Sequence, residues 1–193
     1  MKKITITQIS EKKIKAGNPL LQMEDFPNEL SFDEGELVEL VDSRQKFVAK
    51  AYLAKQNKGV GWVFSLDNAD SFNEAFFKKQ FEKAKRKRTD LQSDPETTTY
   101  RLFNAEGDGI PGVTIDHYDG FAVVSWYSEG IFRYQTAIIA AFQAVFPETK
   151  GIYEKFRYQR KDGLISRFVT GEAAPTPLIV KENGINYATY LDD

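Results

Sequence analysis

Cysteine is missing from all 193 residues, and His117 is the single histidine. The first absence excludes disulfides, thiolate zinc sites and cysteine nucleophiles, and it fits a reducing cytoplasm. The second excludes multi-histidine metal centres and argues against a Ser-His-Asp triad. No metal is therefore expected. No apolar run approaches the length of a membrane span, and no secretory signal precedes Ile4, so no membrane partner is expected either. Net charge is small, with 26 basic residues against 28 acidic ones, which excludes a uniformly basic coat for polyanions.

The charge that is present is unevenly placed. Glu24, Asp25, Glu29, Asp33, Glu34, Glu36, Glu39 and Asp42 follow one another without a Lys or Arg between Glu24 and Asp42. Lys78 to Arg88 is the reverse, with Glu82 alone among Lys78, Lys79, Lys83, Lys85, Arg86, Lys87 and Arg88. A polyanion would be steered to the second region and repelled by the first.

The most specific stretch is Thr99 to Asp116, in which Gly107, Gly109 and Gly112 spell the spacing of a dinucleotide-binding fingerprint. That fingerprint requires a helix directly after the third glycine, because the helix N-terminus holds the pyrophosphate. Here Val113 to Tyr118 alternates and is β-branched, Asp119-Gly120 reads as a hairpin turn, and Phe121 to Trp126 alternates again. Pro111 also removes an N–H that a phosphate cradle would use. The stretch reads as a tight glycine loop between strands, with Glu106 and Asp108 unexplained by turn chemistry. A paired-carboxylate glycosidase has no further support, since residues two apart need share no task.

Short strands are expected at residues 4–9, 36–42, 47–54 and 60–65, with a small helix opening at Ser10 and stopping at Gly17, a pattern that suggests a compact β-barrel. Ser71 and Glu74 have capping-box spacing, and the helix they open carries Phe77, Phe81 and Ala84 at helical period to about Arg88. Residues 90–98 read as a loop. A second helical face runs through Ile131, Tyr134, Ile138, Phe142 and Val145 until Pro147 stops it. Gly151 to Phe156 is a strand, Arg157 to Gly163 a basic polar loop, and residues 173–177 a linker. Asn183-Gly184 centres a last hairpin. The sequence stops directly after that strand, at Asp193, as a fragment would.

Tyr100 to Asp116, Ala75-Phe-Phe77, Gly35 to Asp42, Gly151-Ile-Tyr-Glu154 and Ile179 to Gly184 together resemble a known family. It is that of the S-adenosylmethionine (SAM)-dependent cytosine-C5 methyltransferases of large-subunit ribosomal RNA. Gly17-Asn18-Pro19-Leu20 departs from the Gly-His-Pro-Trp usual in that family. The resemblance implies an α+β chain: a PUA-like RNA-binding barrel over residues 1–67, an α/β region with a β-β-α-β-β core over 71–175, and a hairpin over 176–193 leading to a class I methyltransferase domain absent from this chain. It implies ribosomal RNA and that missing domain as partners, and cytoplasmic location. Methylating C5 of cytosine needs a thiolate to activate the ring, which a cysteine-free chain lacks. The expectation is thus an RNA-binding, substrate-positioning region without catalytic residues, binding no cofactor itself, with SAM serving the full-length family. A free-standing RNA-binding or ribosome-assembly module is the alternative.

Candidate RNA contacts are Lys13, Lys15, Lys50, Tyr52, Lys55 and Asn57, joined by Lys58, and Lys85, Arg86, Lys87 and Arg88 at the end of the basic helix. Aromatics that stack on bases beside lysines that neutralise phosphate are the usual grip on unpaired RNA. Trp62 is expected in the barrel core, and the basic helix is equally readable as a solvated face. Arg101, Asn104, Glu106, Asp108 and Asp116 are candidates for an interdomain cleft. The competing reading pairs Arg101 with a carboxylate and uses Asn104 to hold the glycine loop.

Overall fold

The computed structural model describes residues 1–192; Asp193, where the sequence reading ended its hairpin region, lies outside them. The first lobe is a five-stranded sheet in the order β1-β3-β4-β5-β2. Its strands are β1 (Lys2–Thr5), β2 (Leu20–Leu21), β3 (Leu37–Val41), β4 (Phe47–Leu53) and β5 (Gly61–Ser65). Strand β1 runs parallel to β3 and the other pairs are antiparallel. Among the described residues β1 and β2 do not pair, so in place of the expected closed barrel there is a five-stranded sheet with β1 and β2 at its edges. Helix α1 (Gln8–Lys15) packs on it through Ile14. Its N-cap is Thr7, whose hydroxyl accepts from the Ser10 amide at 3.2 Å, and not Ser10 as the sequence suggested. Ser10 is buried instead and donates to Asp25 at 2.6 Å.

Strand β4 decides how the lobes join. Alternate residues point to opposite faces of a strand. Ala49, Ala51 and Leu53 enter the first lobe's own core, while Tyr52 enters the core of the second lobe. The first lobe thus keeps a core of its own and also contributes Tyr52, Ala54 and Phe64 to the core of the second.

Helix α2 (Glu74–Lys87), capped by Asn73 and not by Ser71, is followed by a short α3 (Thr89–Ser93) where a loop was expected. The second sheet has the order β10-β9-β8-β7-β6. It comprises β6 (Thr99–Asn104), β7 (Val113–Tyr118), β8 (Phe121–Trp126), β9 (Gly151–Phe156) and β10 (Ser166–Gly171). Strands β8 and β9 are parallel, joined by α5 (Glu129–Phe132) and α6 (Gln135–Val145). One face is covered by α2 and α6, where Phe77, Phe81 and Ala84 meet Phe103 and Phe142 as the apolar stripe predicts. Part of the other is covered by the hairpin of β11 (Leu178–Glu182) and β12 (Ile185–Thr189), with Leu178 and Val180 on Phe121, Val123 and Tyr153.

The glycine knot lies between β6 and β7 and contains one helical turn, α4 (Ala105–Asp108), closed by Gly109 at φ +96°. A strand follows Gly112, as the sequence indicated. The knot is filled by its own protein. A Cβ at Gly109 would meet Gln80 Oε1 at 2.6 Å, and one at Gly112 would strike the Tyr52 hydroxyl, which donates to the Pro111 carbonyl at 2.8 Å.

Candidate functional site: a polar cleft between the lobes

An open cleft of about 1640 Å³ lies where the two lobes meet. Its first-lobe wall comes from the turn before β3 and the β4–β5 connection, and includes Glu34, Lys55, Gln56, Asn57, Lys58 and Trp62. The β6 end and the glycine knot supply Arg101, Asn104, Glu106 and Thr114. The far rim carries Tyr127, Arg133, Arg157, Tyr158, Arg160 and Lys161. Cations outnumber carboxylates on these walls, and aromatic rings stand among them, which is the surface chemistry that suits unpaired nucleic acid.

Four buried polar atoms of this wall have no hydrogen-bond partner among the described residues: Glu34 Oε2, Gln56 Nε2, Trp62 Nε1 and Thr114 Oγ1. Buried polar atoms are paired in most native sites, so a cluster of orphans in one cleft marks where a polar ligand would be held. Trp62, expected in the core, is only partly buried and faces this cleft.

The sequence candidates divide sharply. Lys55 and Asn57 line the cleft, as does Lys58. Lys13 is tied to Asp25 at 2.6 Å and Lys15 to Glu11. Lys50 and Tyr52 are corrected: Lys50 is buried with Nζ on the Asp70 carbonyl at 2.7 Å, and the Tyr52 ring is sealed in the inter-lobe core, so neither can reach RNA. Burial, with nearby carboxylates, raises the Tyr52 phenol well above its usual range. None of Lys85, Arg86, Lys87 and Arg88 lines the cleft. Lys85 donates to the Val145 carbonyl at 2.8 Å, and Arg88 makes a two-pronged pair with Asp108 at 2.6 and 3.3 Å, joined by Lys87 at 3.3 Å. Arg86 is exposed and makes no side-chain hydrogen bond or ion pair among the described residues.

Of the interdomain candidates, Arg101, Asn104 and Glu106 meet in the cleft. Arg101 is paired across the β6–β7 ladder with Asp116 at 2.5 Å and donates to Asn104 Oδ1 at 3.2 Å. Glu106 is exposed, with no side-chain partner among the described residues. Asp108 is corrected, because it turns inward and accepts the Asn104 amide at 2.7 Å as well as Arg88. Burial works against its charge, and these hydrogen bonds outweigh it and hold the carboxyl below the usual range. Arg133, Tyr127 and the Arg157–Lys161 side chains were missed as site residues. The one signal available was the basic character of the 157–163 loop.

No group of three or more His, Asp or Glu is arranged to hold a metal ion among the described residues. No helix among them is long and apolar enough to cross a membrane.

Comparison with known proteins now gives this architecture a class. The profile of the PUA-like domain matches residues 4–66, so the first lobe is a PUA-like domain. The whole chain aligns, at 39% identity, with the candidate ribosomal RNA large subunit methyltransferase YwbD of Bacillus subtilis (strain 168), covering 50% of that protein. Ribosomal RNA large subunit methyltransferase I of Escherichia coli O157:H7 is 32% identical over 155 residues, 78% of this chain and 39% of that one. A candidate SAM-dependent methyltransferase from Streptococcus mutans superposes on all of this chain with a TM-score of 0.92 and 40% identity, 49% of its own length being covered. SMU.776, a candidate methyltransferase solved with SAH, matches with the same figures. The chain is homologous to large-subunit ribosomal RNA methyltransferases, and it spans about half the length of these relatives.

These matches correct three expectations. Every residue superposes on about half of a candidate SAM-dependent methyltransferase, so the reading of a chain with the methyltransferase domain absent does not stand. Nor does its assignment as a non-catalytic RNA-binding region or a free-standing assembly module. The expectation that this chain binds no cofactor falls too, since a neighbour superposing on its full length was solved with SAH. The error has a physical source. Those expectations stand on the resemblance, which places the donor domain after the last hairpin, and on the lack of a cysteine nucleophile. The cleft that actually collects unpartnered polar atoms is assembled from segments distant in sequence.

Proposed function

We propose that this chain serves SAM-dependent methylation of large-subunit ribosomal RNA, and that the inter-lobe cleft receives an unpaired stretch of that RNA. The observation that carries the reading is the coincidence, in one cleft, of several cations without a charged partner among the described residues, aromatic rings and the four orphaned polar atoms. Homology to ribosomal RNA methyltransferases supplies the reaction class. Arg133, Arg157, Lys55, Lys58 and Lys161 neutralise phosphate, while Tyr127 and Trp62 offer faces for bases. This is a cytoplasmic task.

SAM, when bound, supplies an electrophilic methyl group. The glycine knot does not fit it, because Tyr52 and Gln80 occupy the space above Gly112 and Gly109. The cleft does fit, since Glu34 Oε2, Gln56 Nε2, Trp62 Nε1 and Thr114 Oγ1 can satisfy a nucleoside or amino-acid moiety. Arg101 is held in place by Asp116 and Asn104, so its guanidinium enters the cleft already oriented.

The finer reading, carbon-5 of cytosine as target, rests on the resemblance of Tyr100 to Asp116 to that family. It requires a thiolate nucleophile, which these 193 residues do not contain, so a C5 product would require a cysteine from beyond them. The test is incubation of the protein with large-subunit RNA lacking its modifications and SAM labelled at the methyl group. Label confined to one nucleotide supports the proposal, and its position on the base decides the finer reading. RNA that stays unlabelled contradicts it.

A further inference from the structure

The loop from Arg157 to Leu164 is short of regular structure yet heavily tied down. Its Arg160 makes a two-pronged pair with Asp162 at 2.9 and 2.7 Å and donates to the Tyr158 hydroxyl at 3.4 Å. The same guanidinium lies over Phe156 at 4.3 Å and over Phe132 at 5.0 Å. Tyr158 in turn donates to Glu129 at 3.0 Å, and burial with that bond pushes its phenol up to about 12. Asp162 also accepts the Leu164 amide at 3.1 Å. Arg160, together with this amide, holds its carboxyl down to about 2.

All of these bonds are made by the loop to itself or to α5. They leave Arg157 and Lys161 exposed, with no charged partner among the described residues, on the rim of the cleft. A cation on a mobile loop loses backbone and side-chain freedom on meeting a phosphate; one on a pre-set loop loses less. We propose that the 157–164 loop is a built phosphate clamp, in which Arg157 and Lys161 hold the backbone of the RNA and Arg160, Asp162 and Tyr158 position them. The inference rests on the RNA reading of the cleft and deepens it. It makes Asp162, an acidic residue beside a polyanion, favourable to binding.

That sign separates positioning from simple charge. Asp162→Asn removes a negative charge from the rim, so electrostatics alone would tighten RNA binding. If Asp162 sets the loop, the same change weakens it, by about threefold for loss of a surface pair. The measurement is fluorescence anisotropy of a labelled single-stranded RNA of about 12 nucleotides, titrated with the wild-type protein and with D162N at several salt concentrations. Weaker binding by D162N, with an unchanged melting temperature, supports the clamp. The double variant R157A/K161A should bind more weakly and lower the salt slope by about one for each lost contact. Equal or tighter binding by D162N, or an unchanged slope for the double variant, overturns the clamp while leaving the RNA reading intact. A wild-type protein that binds no RNA overturns both.

Discussion

Two basic segments compete for attention in this chain, and they behave oppositely. The end of α2, Lys85 to Arg88, is the denser in sequence, yet its folded side chains are largely spent. Arg88 and Lys87 converge on Asp108, and Lys85 closes the end of α6 while lying 5.0 Å from the centre of the Phe146 ring. The 157–161 loop is less conspicuous, but it commits one arginine to its own architecture and presents Arg157 and Lys161 to the cleft. Charge density along a sequence thus measures what a segment carries, and the pairing in three dimensions decides what it can offer.

The largest expected effect lies on the spent side. Asp108→Asn leaves the Arg88 guanidinium without its carboxylate in a half-closed setting, and unfolding free energy should fall by about 2 kcal/mol in denaturant titrations. The pH dependence has a definite sign. Because the folded carboxyl is held below its usual range, its contribution is full above the unfolded value of about 3.9 and is lost as pH falls through the folded one. D108N should therefore flatten the acid limb of the stability profile. RNA affinity of the folded variant should barely change. Next in size, R157A/K161A should lose roughly tenfold in RNA affinity at low salt without loss of stability, the reverse pattern. Tyr52→Phe removes the bond to the Pro111 carbonyl that joins the lobes. It should cost about 1 kcal/mol in stability and disturb RNA binding only through the cleft's geometry. Smallest of all, Arg86→Ala removes an exposed side chain away from the cleft. It should change affinity by less than about twofold.

The same contrast explains what could be read from the sequence. Elements set by local chemistry were legible: the Asp119-Gly120 and Asn183-Gly184 hairpins, the aromatic stripe of α2 and the strand after Gly112. Strand β10 was not, because Ser166 to Gly171 shows no clear alternation and pairs through a bulge. Helix α3 was hidden by polar residues with none buried. The PUA-like lobe was legible through its strand pattern together with the resemblance, and the family profile matches it. The cleft was legible only in pieces. Arg101, Asn104 and Glu106 were singled out from the glycine knot, and Lys55 and Asn57 from a strand end. Their meeting with Arg133 and Arg157 depends on β4 sending alternate side chains into two cores, which no local window records. Tyr52 was misassigned for that reason: an aromatic on a strand among lysines looks like a stacking platform until the second lobe covers it.

The central claim is that RNA meets the inter-lobe cleft and not the end of the basic helix. Salt dependence of RNA binding, compared side by side for R157A/K161A and R86A/K87A, tests it most directly. Both pairs remove two cations, so net charge cannot separate them. The account predicts a shallower slope for the loop pair and a wild-type slope for the helix pair. A wild-type slope for the loop pair with a shallower one for the helix pair would contradict it.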